Sequence, residues 1–339
     1  RLVGSEMCIR DRLQSDITSP FPPLDLMVHI GEISAASFND TIPAKEVWRV
    51  SEDGELRDPF KKLTTVFQMS EEMFFLHYGK DGCNRHVLID ECRELFGEIY
   101  EQIPELPFCN IWTAMQLSSR LPKGALFHMG VSNTRRCWNM FQLPESVESA
   151  CNVGCCGIDG CVSTLVGASL VNPDRLCYVV VGDLTFFYDL NSLGNHHIGT
   201  NLRVMLVNNG RGTEFRLGIH HCNVFGDDAD KYMAAAGHFG NKSPLLVKHY
   251  AEDLGFHYLS ATTKEEFMTA LSNFTNPQLS DHSMILEVFT DSKDESEALY
   301  LMSHIQSDAK GMVRSKLKDA VRNVAGEKGI NAIKKILKK

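Results

Sequence analysis

Residues 176–184, LCYVVVGDL, and 202–210, LRVMLVNNG, decide how this chain is read. Each begins with an aliphatic run that shows almost no polar alternation, the pattern of a strand covered on both faces. Each run then ends in small polar residues, Gly182-Asp183-Leu184 in one case and Asn208-Asn209-Gly210 in the other. A carboxylate directly after a buried strand stands at the carboxyl end of that strand, where open α/β sheets bind ligands. Gly182 lets a ligand come close to the backbone. A helix expected from near Thr185 would turn its amino-terminal N–H groups toward the same point, which suits a phosphate. The amide oxygens of the Asn pair can join Asp183 as the hard oxygen donors that Mg2+ shares with phosphate ligands. Alone, Gly-Asp reads equally as a helix cap and Asn-Asn as a strand-ending turn. Together, in a strand–helix–strand setting, they point to a metal–diphosphate cradle.

Working outward, Gly157–Leu170 and Phe186–Leu193 have helical spacing, as do Ile111–Leu121, Lys242–Leu254 and Lys264–Phe274. Ala125–Met129, His257–Leu259 and Ser283–Phe289 (SMILEVF) read as strands. Buried strands alternating with helices predict an α/β fold with a doubly wound parallel sheet. Upstream, Leu24–Ile30 and Glu46–Val50 read as strands, with a turn at Ser51–Gly54. Leu63–Val66 and Phe74-Phe75 continue the α/β pattern, and Val87–Ile103 has a helical period, so a small α/β central domain precedes the sheet. The expected divisions are 13–105 for that partial domain, 106–305 for the cofactor domain and 306–339 for a basic tail. The prolines of Ser19–Pro23 mark a linker. Residues 1–12, RLVGSEMCIRDR, resemble a translated adapter artefact and are set aside, so the protein is expected to extend further toward its N-terminus.

The 339 residues carry a formal net charge of −9, which argues against nucleic acid as a general partner. There is no apolar run long enough for a transmembrane helix. Eleven cysteines in a chain this long do not form a secreted disulfide framework, and a reduced, cytoplasmic protein is expected. Cys151, Cys155, Cys156 and Cys161 match no zinc spacing and are read as small buried residues on a helical segment. From Asp308 to Lys339 ten Lys or Arg face three Asp or Glu. That basic amphipathic helix suits either weak contact with an anionic membrane surface or packing on a dimer.

The pattern GDL, 23 residues (185–207), then NN resembles the signature of thiamine-diphosphate enzymes, GDG followed by NN. The shorter interval and Leu184 in place of a third glycine are similar to one branch, the 2-succinyl-5-enolpyruvyl-6-hydroxy-3-cyclohexene-1-carboxylate synthases of menaquinone biosynthesis. GIDGCVSTLVGASL, GDLTFFYDLNSL and VNNG resemble the diphosphate-binding domain of that family, and LDLMVHIGE with VWRVSEDGELRDP its central domain. The resemblance implies thiamine diphosphate with Mg2+, or Mn2+ in its place, a 2-oxo acid substrate with a second, unidentified acceptor, and a homodimer or homotetramer. It implies Asp183, Asn209 and the Arg211 carbonyl as metal ligands. Gly157, Ile158 and Asp159 would line the cofactor, with Ile158 as the apolar wedge beneath it, joined by Gly182, Leu184 and Thr185. Ser132, Arg136 and Phe215 would meet the substrate. The pyrimidine-activating glutamate of the family belongs to a domain that these residues do not resemble, so this stretch alone is expected to be inactive.

Two positions depart from the family. Val153 stands where it has an arginine, and Glu214 where it has an apolar residue before Phe215. Losing a cation and gaining an anion disfavours a multiply carboxylated substrate. A relative acting on a different 2-oxo acid, within a surface-polysaccharide gene cluster, is therefore expected rather than the menaquinone reaction itself. His196-His197 and His220-His221 read first as loop histidines, and His220 or His221 is preferred if one of them moves protons. A catalytically silent relative is the alternative to an enzyme. A nicotinamide dehydrogenase would need GxGxxG after a strand; the glycines at 154, 157 and 160 have the wrong spacing and no strand is expected before them.

Overall fold

A computed structural model describes residues 24–30, 44–79, 87–153, 157–216, 225–226, 228, 231 and 243–305. The twelve leading residues, the Ser19–Pro23 linker, Cys155, Cys156, His220, His221 and the basic tail lie outside the described residues. The chain divides into two compact units, residues 1–102 and 103–339.

In the first unit β1 (Leu24–Ile30), β2 (Ala44–Ser51) and β3 (Leu63–Gln68) form a parallel sheet in that order. Ala44, Val47 and Phe60 make its small core. Arg49 is fully buried on β2, donating to the Glu55 carbonyl at 3.2 Å and facing Asp53 at 3.4 Å. The turn expected at 51–54 is closed by Gly54 at φ 65°, a left-handed conformation that glycine adopts without a steric cost. α1 (Glu71–Tyr78) follows, capped by the Ser70 hydroxyl, and then α2 (Val87–Glu101).

The second unit holds a six-stranded, wholly parallel sheet. Its strands are β4 (Leu126–Met129), β5 (Glu148–Cys151), β6 (Cys177–Gly182), β7 (Leu202–Asn208), β8 (His257–Ala261) and β9 (Met284–Phe289), in the order β5-β4-β6-β7-β9-β8. Successive side chains of a strand point to opposite faces, and here both faces are covered. Tyr178, Val180, Met205, Val207 and Leu286 point into one core. That core also takes residues of α3 (Asn110–Leu117), α4 (Asn133–Trp138), α8 (Lys264–Phe274) and α9 (Ser292–Ser303). Cys177, Val179, Val181, Val204 and Leu206 point into the other, against α5 (Cys161–Val171), α6 (Asp183–Asp189) and α7 (Leu246–Asp253). Two covered faces explain why the strand runs are apolar without alternation, and the doubly wound sheet is borne out. Phe267 and Phe274 of α8 are fully buried, each contributing roughly 1.5–3 kcal/mol of transfer free energy.

The structure corrects several expectations. Cys151 lies on β5, not on a helix, and this strand does precede the 154–160 glycines. Four residues at a sheet edge are too few to show a period. The helix expected from Gly157 begins at Cys161, because Asp189 accepts the Ser163 N–H at 2.7 Å and fixes the first turn there. α4 and α9 were not expected; α9 is too polar to show an apolar stripe, and Asp291 caps it through the Lys293 N–H.

Buried polar groups connect these layers. Glu295 of α9 is 1% exposed, and its Oε1 accepts from the Asn110 N–H at 3.0 Å and the Thr290 hydroxyl at 2.8 Å. Asn110 in turn accepts from the Trp138 indole N–H at 2.9 Å, so α9, α3 and α4 hang on one chain of hydrogen bonds. Glu295 Oε2 is buried with no hydrogen-bonding partner among the described residues. Burial, helped by the nearby charges of Asp183 and Asp294, raises this carboxyl to about 7. An acid whose pKa is higher folded than unfolded stabilises the fold fully below the unfolded value of about 4.5, and that contribution is lost as pH rises through about 7. Glu295→Gln keeps an acceptor and carries no charge. It is therefore expected to match the wild-type unfolding free energy in urea denaturation near pH 4.5 and to exceed it above about pH 7.5, by up to a few kcal/mol. At the opposite edge, the buried Asn201 side chain donates to the Ser169, Asn172 and Arg175 carbonyls at 3.1, 2.9 and 3.0 Å. Asn201→Ala is expected to cost about 1–3 kcal/mol in urea denaturation.

Candidate active site

The sheet's order reverses at β4. The connection from β4 to β5 carries α4 over one face, and that from β5 to β6 carries α5 over the other. Connections that part in this way open a crevice at the carboxyl ends of the strands. Gly130 closes the floor by donating its N–H to the Val180 carbonyl at 2.7 Å. A Cβ at Gly130 would stand 3.3 Å from that oxygen and 3.4 Å from the Val181 Cα, so a side chain here would require the strands to give by a few tenths of an ångström.

Four loops follow β5, β4, β6 and β7 at this edge, and they carry the residues selected from the sequence. After β4, Ser132 is held at φ 60° and ψ −121°, a region L-residues rarely occupy, and strain of this kind gathers at functional sites. Arg136 lies one helical turn further on. After β5, Gly157, Ile158 and Asp159 precede α5; Ile158 packs partly against the core of Val131, Val162 and Val181, and Asp159 is exposed. After β6, Gly182 has open space, since a Cβ there would meet no atom of the described residues within 4 Å. Asp183 is 2% exposed and its Oδ1 accepts the Leu184 N–H at 2.7 Å. Thr185 is buried and Leu184 half-buried. The helix begins at Asp183, two residues earlier than expected, and is seven residues long. Asp183 itself takes up the Leu184 N–H, so the expected row of unpaired amides facing a phosphate is reduced.

After β7 the two asparagines part company. Asn208 ends the strand, buried, with its Nδ2 donating to Glu287 Oε1 at 2.7 Å. Asn209 lies beyond the strand, half-buried, with its Oδ1 3.3 Å from the Arg211 N–H, and Gly210 makes the turn at φ 80°. Phe215 lies in the turn at 213–216, and its side chain is outside the description. Glu287 is 1% exposed on β9, and its Oε2 accepts from the Tyr258 hydroxyl at 2.7 Å. Burial raises its pKa, with the Asp183 charge adding to the effect and the Asn208 and Tyr258 hydrogen bonds opposing it. Glu287 therefore stands behind the loop, orienting Asn208. Sequence reasoning missed it, although a glutamate inside the mostly apolar strand SMILEVF signals a partnered carboxylate.

Arg136 and Glu214 form a bidentate ion pair, Nη1 to Oε2 at 2.8 Å and Nη2 to Oε1 at 3.0 Å. The pair joins the segment after β4 to that after β7. Between those strands lies β6, ending in Gly182-Asp183. Other candidates fall away from this edge. His196 and His197 are exposed, their rings 3.8 Å apart, in the loop that enters the amino end of β7. Burial raises the thiols of Cys161 and Cys177, the latter to about 11, which keeps them protonated and poor metal ligands. Among the described residues no group of three or more His, Cys, Asp or Glu could hold a metal, and no helix is long and apolar enough to cross a membrane.

The oxygen set at this edge, one buried carboxylate, one amide and a turn of backbone carbonyls beside open space at Gly182, has the character a hard divalent cation takes. No family model matches the chain. Over 263 residues, 76% of its length, it is 33% identical to a 2-succinyl-5-enolpyruvyl-6-hydroxy-3-cyclohexene-1-carboxylate synthase of Bacteroides fragilis. It is 32% identical over 265 residues to the protein of that name from Phocaeicola vulgatus, and 33% over 199 residues to that of Christiangramia forsetii. The chain spans 45%, 44% and 33% of these relatives. With the Gly-Asp and Asn-Asn turns on neighbouring strands and these matches, the chain is a homologue of the 2-succinyl-5-enolpyruvyl-6-hydroxy-3-cyclohexene-1-carboxylate synthases.

Proposed function

We propose that this chain is the diphosphate-binding part of a thiamine-diphosphate- and Mg2+-dependent enzyme that decarboxylates a 2-oxo acid and joins the remaining carbon unit to an acceptor. The observation that carries the reading is the pairing of β6 with β7, which sets Gly182-Asp183 and Asn209-Gly210-Arg211 side by side at one edge. The Asp183 carboxylate, the Asn209 amide oxygen and the Arg211 carbonyl would hold Mg2+, or Mn2+ in its place. Ligand and water oxygens would complete the octahedron, as is usual for Mg2+ bound with phosphates.

When bound, thiamine diphosphate supplies the electron sink for carbanion chemistry at the substrate carbonyl. The residues of the chain orient and enclose. Gly182 would leave room for the diphosphate, Ile158 would offer an apolar surface, and Ser132 and Arg136 would meet the substrate, a role the resemblance also gives Phe215. Glu287 holds Asn208 and through it the metal loop. The working form is proposed to be a homodimer or homotetramer in the cytoplasm. A catalytically silent relative has no residue in its favour, since Asp183 and Asn209 are both in place.

Calorimetric titration with Mg2+-thiamine diphosphate, and with Mg2+-diphosphate as a smaller probe, tests the cradle. Asp183→Ala and Asn209→Ala are each expected to weaken binding by about a hundredfold or more. Equal affinity in wild type and both variants would remove this assignment.

A further inference from the structure

We infer that Glu214 is a specificity-determining residue, an internal carboxylate that occupies the Arg136 guanidinium and directs the site to 2-oxo acids without a second carboxylate. The inference rests on the function proposed above and narrows it to a substrate class. A guanidinium fork matches one carboxylate with two parallel hydrogen bonds. In this chain both Nη groups are committed to Glu214, at 2.8 and 3.0 Å. The side chains are 17% and 23% exposed, so the pair is shielded more than an open surface bridge, though still reachable from the crevice.

Its position gives the pair a role beyond closing a loop. It joins the segments after β4 and β7 on either side of the end of β6, so a substrate above Gly182-Asp183 lies against it. Both arms are braced by the same buried scaffold. α4, which carries Arg136, hangs from Asn110 and Glu295 through Trp138, and the turn carrying Glu214 packs on α9, which carries Glu295. A ligand carboxylate would have to displace Glu214 and leave that anion beside itself. Repulsion built into a site in this way rejects the wrong ligand as effectively as an added contact attracts the right one. Val153, an apolar residue at the end of β5, supplies no replacement cation.

The test is calorimetry on the protein loaded with Mg2+-thiamine diphosphate, using glutarate as the dicarboxylate probe and butyrate as the monocarboxylate probe. Wild type is expected to bind glutarate no more tightly than butyrate. Glu214→Leu and the milder Glu214→Gln, which keeps two hydrogen-bonding atoms, are each expected to tighten glutarate by about tenfold or more and to leave butyrate within about twofold. Adding Arg136→Met to either should abolish the gain. Preference for glutarate in wild type, no gain in either variant, or a gain that survives loss of Arg136 would overturn the inference and leave the cofactor reading standing. Failure of wild type to bind Mg2+-thiamine diphosphate at all would overturn both.

Discussion

Gly130 lies so close to β6 that its N–H reaches the Val180 carbonyl at 2.7 Å, and the candidate site depends on that approach. The contact continues the ladder by which Leu126–Met129 pairs with β6, so β4 lies beside β6 although β5 intervenes in the chain. Strand order therefore reverses at β4, and the helices that follow β4 and β5 leave over opposite faces of the sheet. The crevice is a consequence of that divergence. A side chain at residue 130 would press on backbone, which cannot move aside as a side chain end can.

The second constraint is polar. An interior glutamate is costly unless its oxygens are satisfied, and the described residues include two, Glu287 on β9 and Glu295 on α9. Glu287 spends both oxygens on Asn208 and Tyr258, which ties the end of β7 to the neighbouring strand and to the edge strand β8. Glu295 organises α3, α4 and α9 but leaves one oxygen buried without a partner among the described residues, and burial raises its pKa accordingly. The floor of the site is thus held by packing and its walls by a few buried hydrogen bonds. Rigid walls are what allow two loops 78 residues apart to present Arg136 and Glu214 as a bidentate pair.

The kinship with the cyclohexene-carboxylate synthases and the Arg136–Glu214 pair point in different directions about substrate. Kinship, at 33% identity over 263 residues, describes the scaffold. Substrate choice rests on few side chains, and one new carboxylate beside an arginine is enough to change which charges a pocket accepts. Function belongs to such sites rather than to the fold that carries them.

The sequence by itself determined the parallel sheet and singled out the edge proposed to carry the site. LCYVVV and, Arg203 apart, LRVMLV are apolar on both alternations, as a doubly covered strand requires, and Gly182-Asp183 and Asn208-Asn209 follow them directly. It also marked Glu214 as an anomaly, because an anion stood where an apolar residue was expected. Tertiary structure alone decided what that anion does, since its partner is 78 residues distant and no local pattern records the pairing. The same holds for β5, whose four edge residues are defined by pairing with β4. It holds again for the separate fates of Asn208 and Asn209, adjacent in sequence. One faces Glu287 within the sheet, and the other has passed its end.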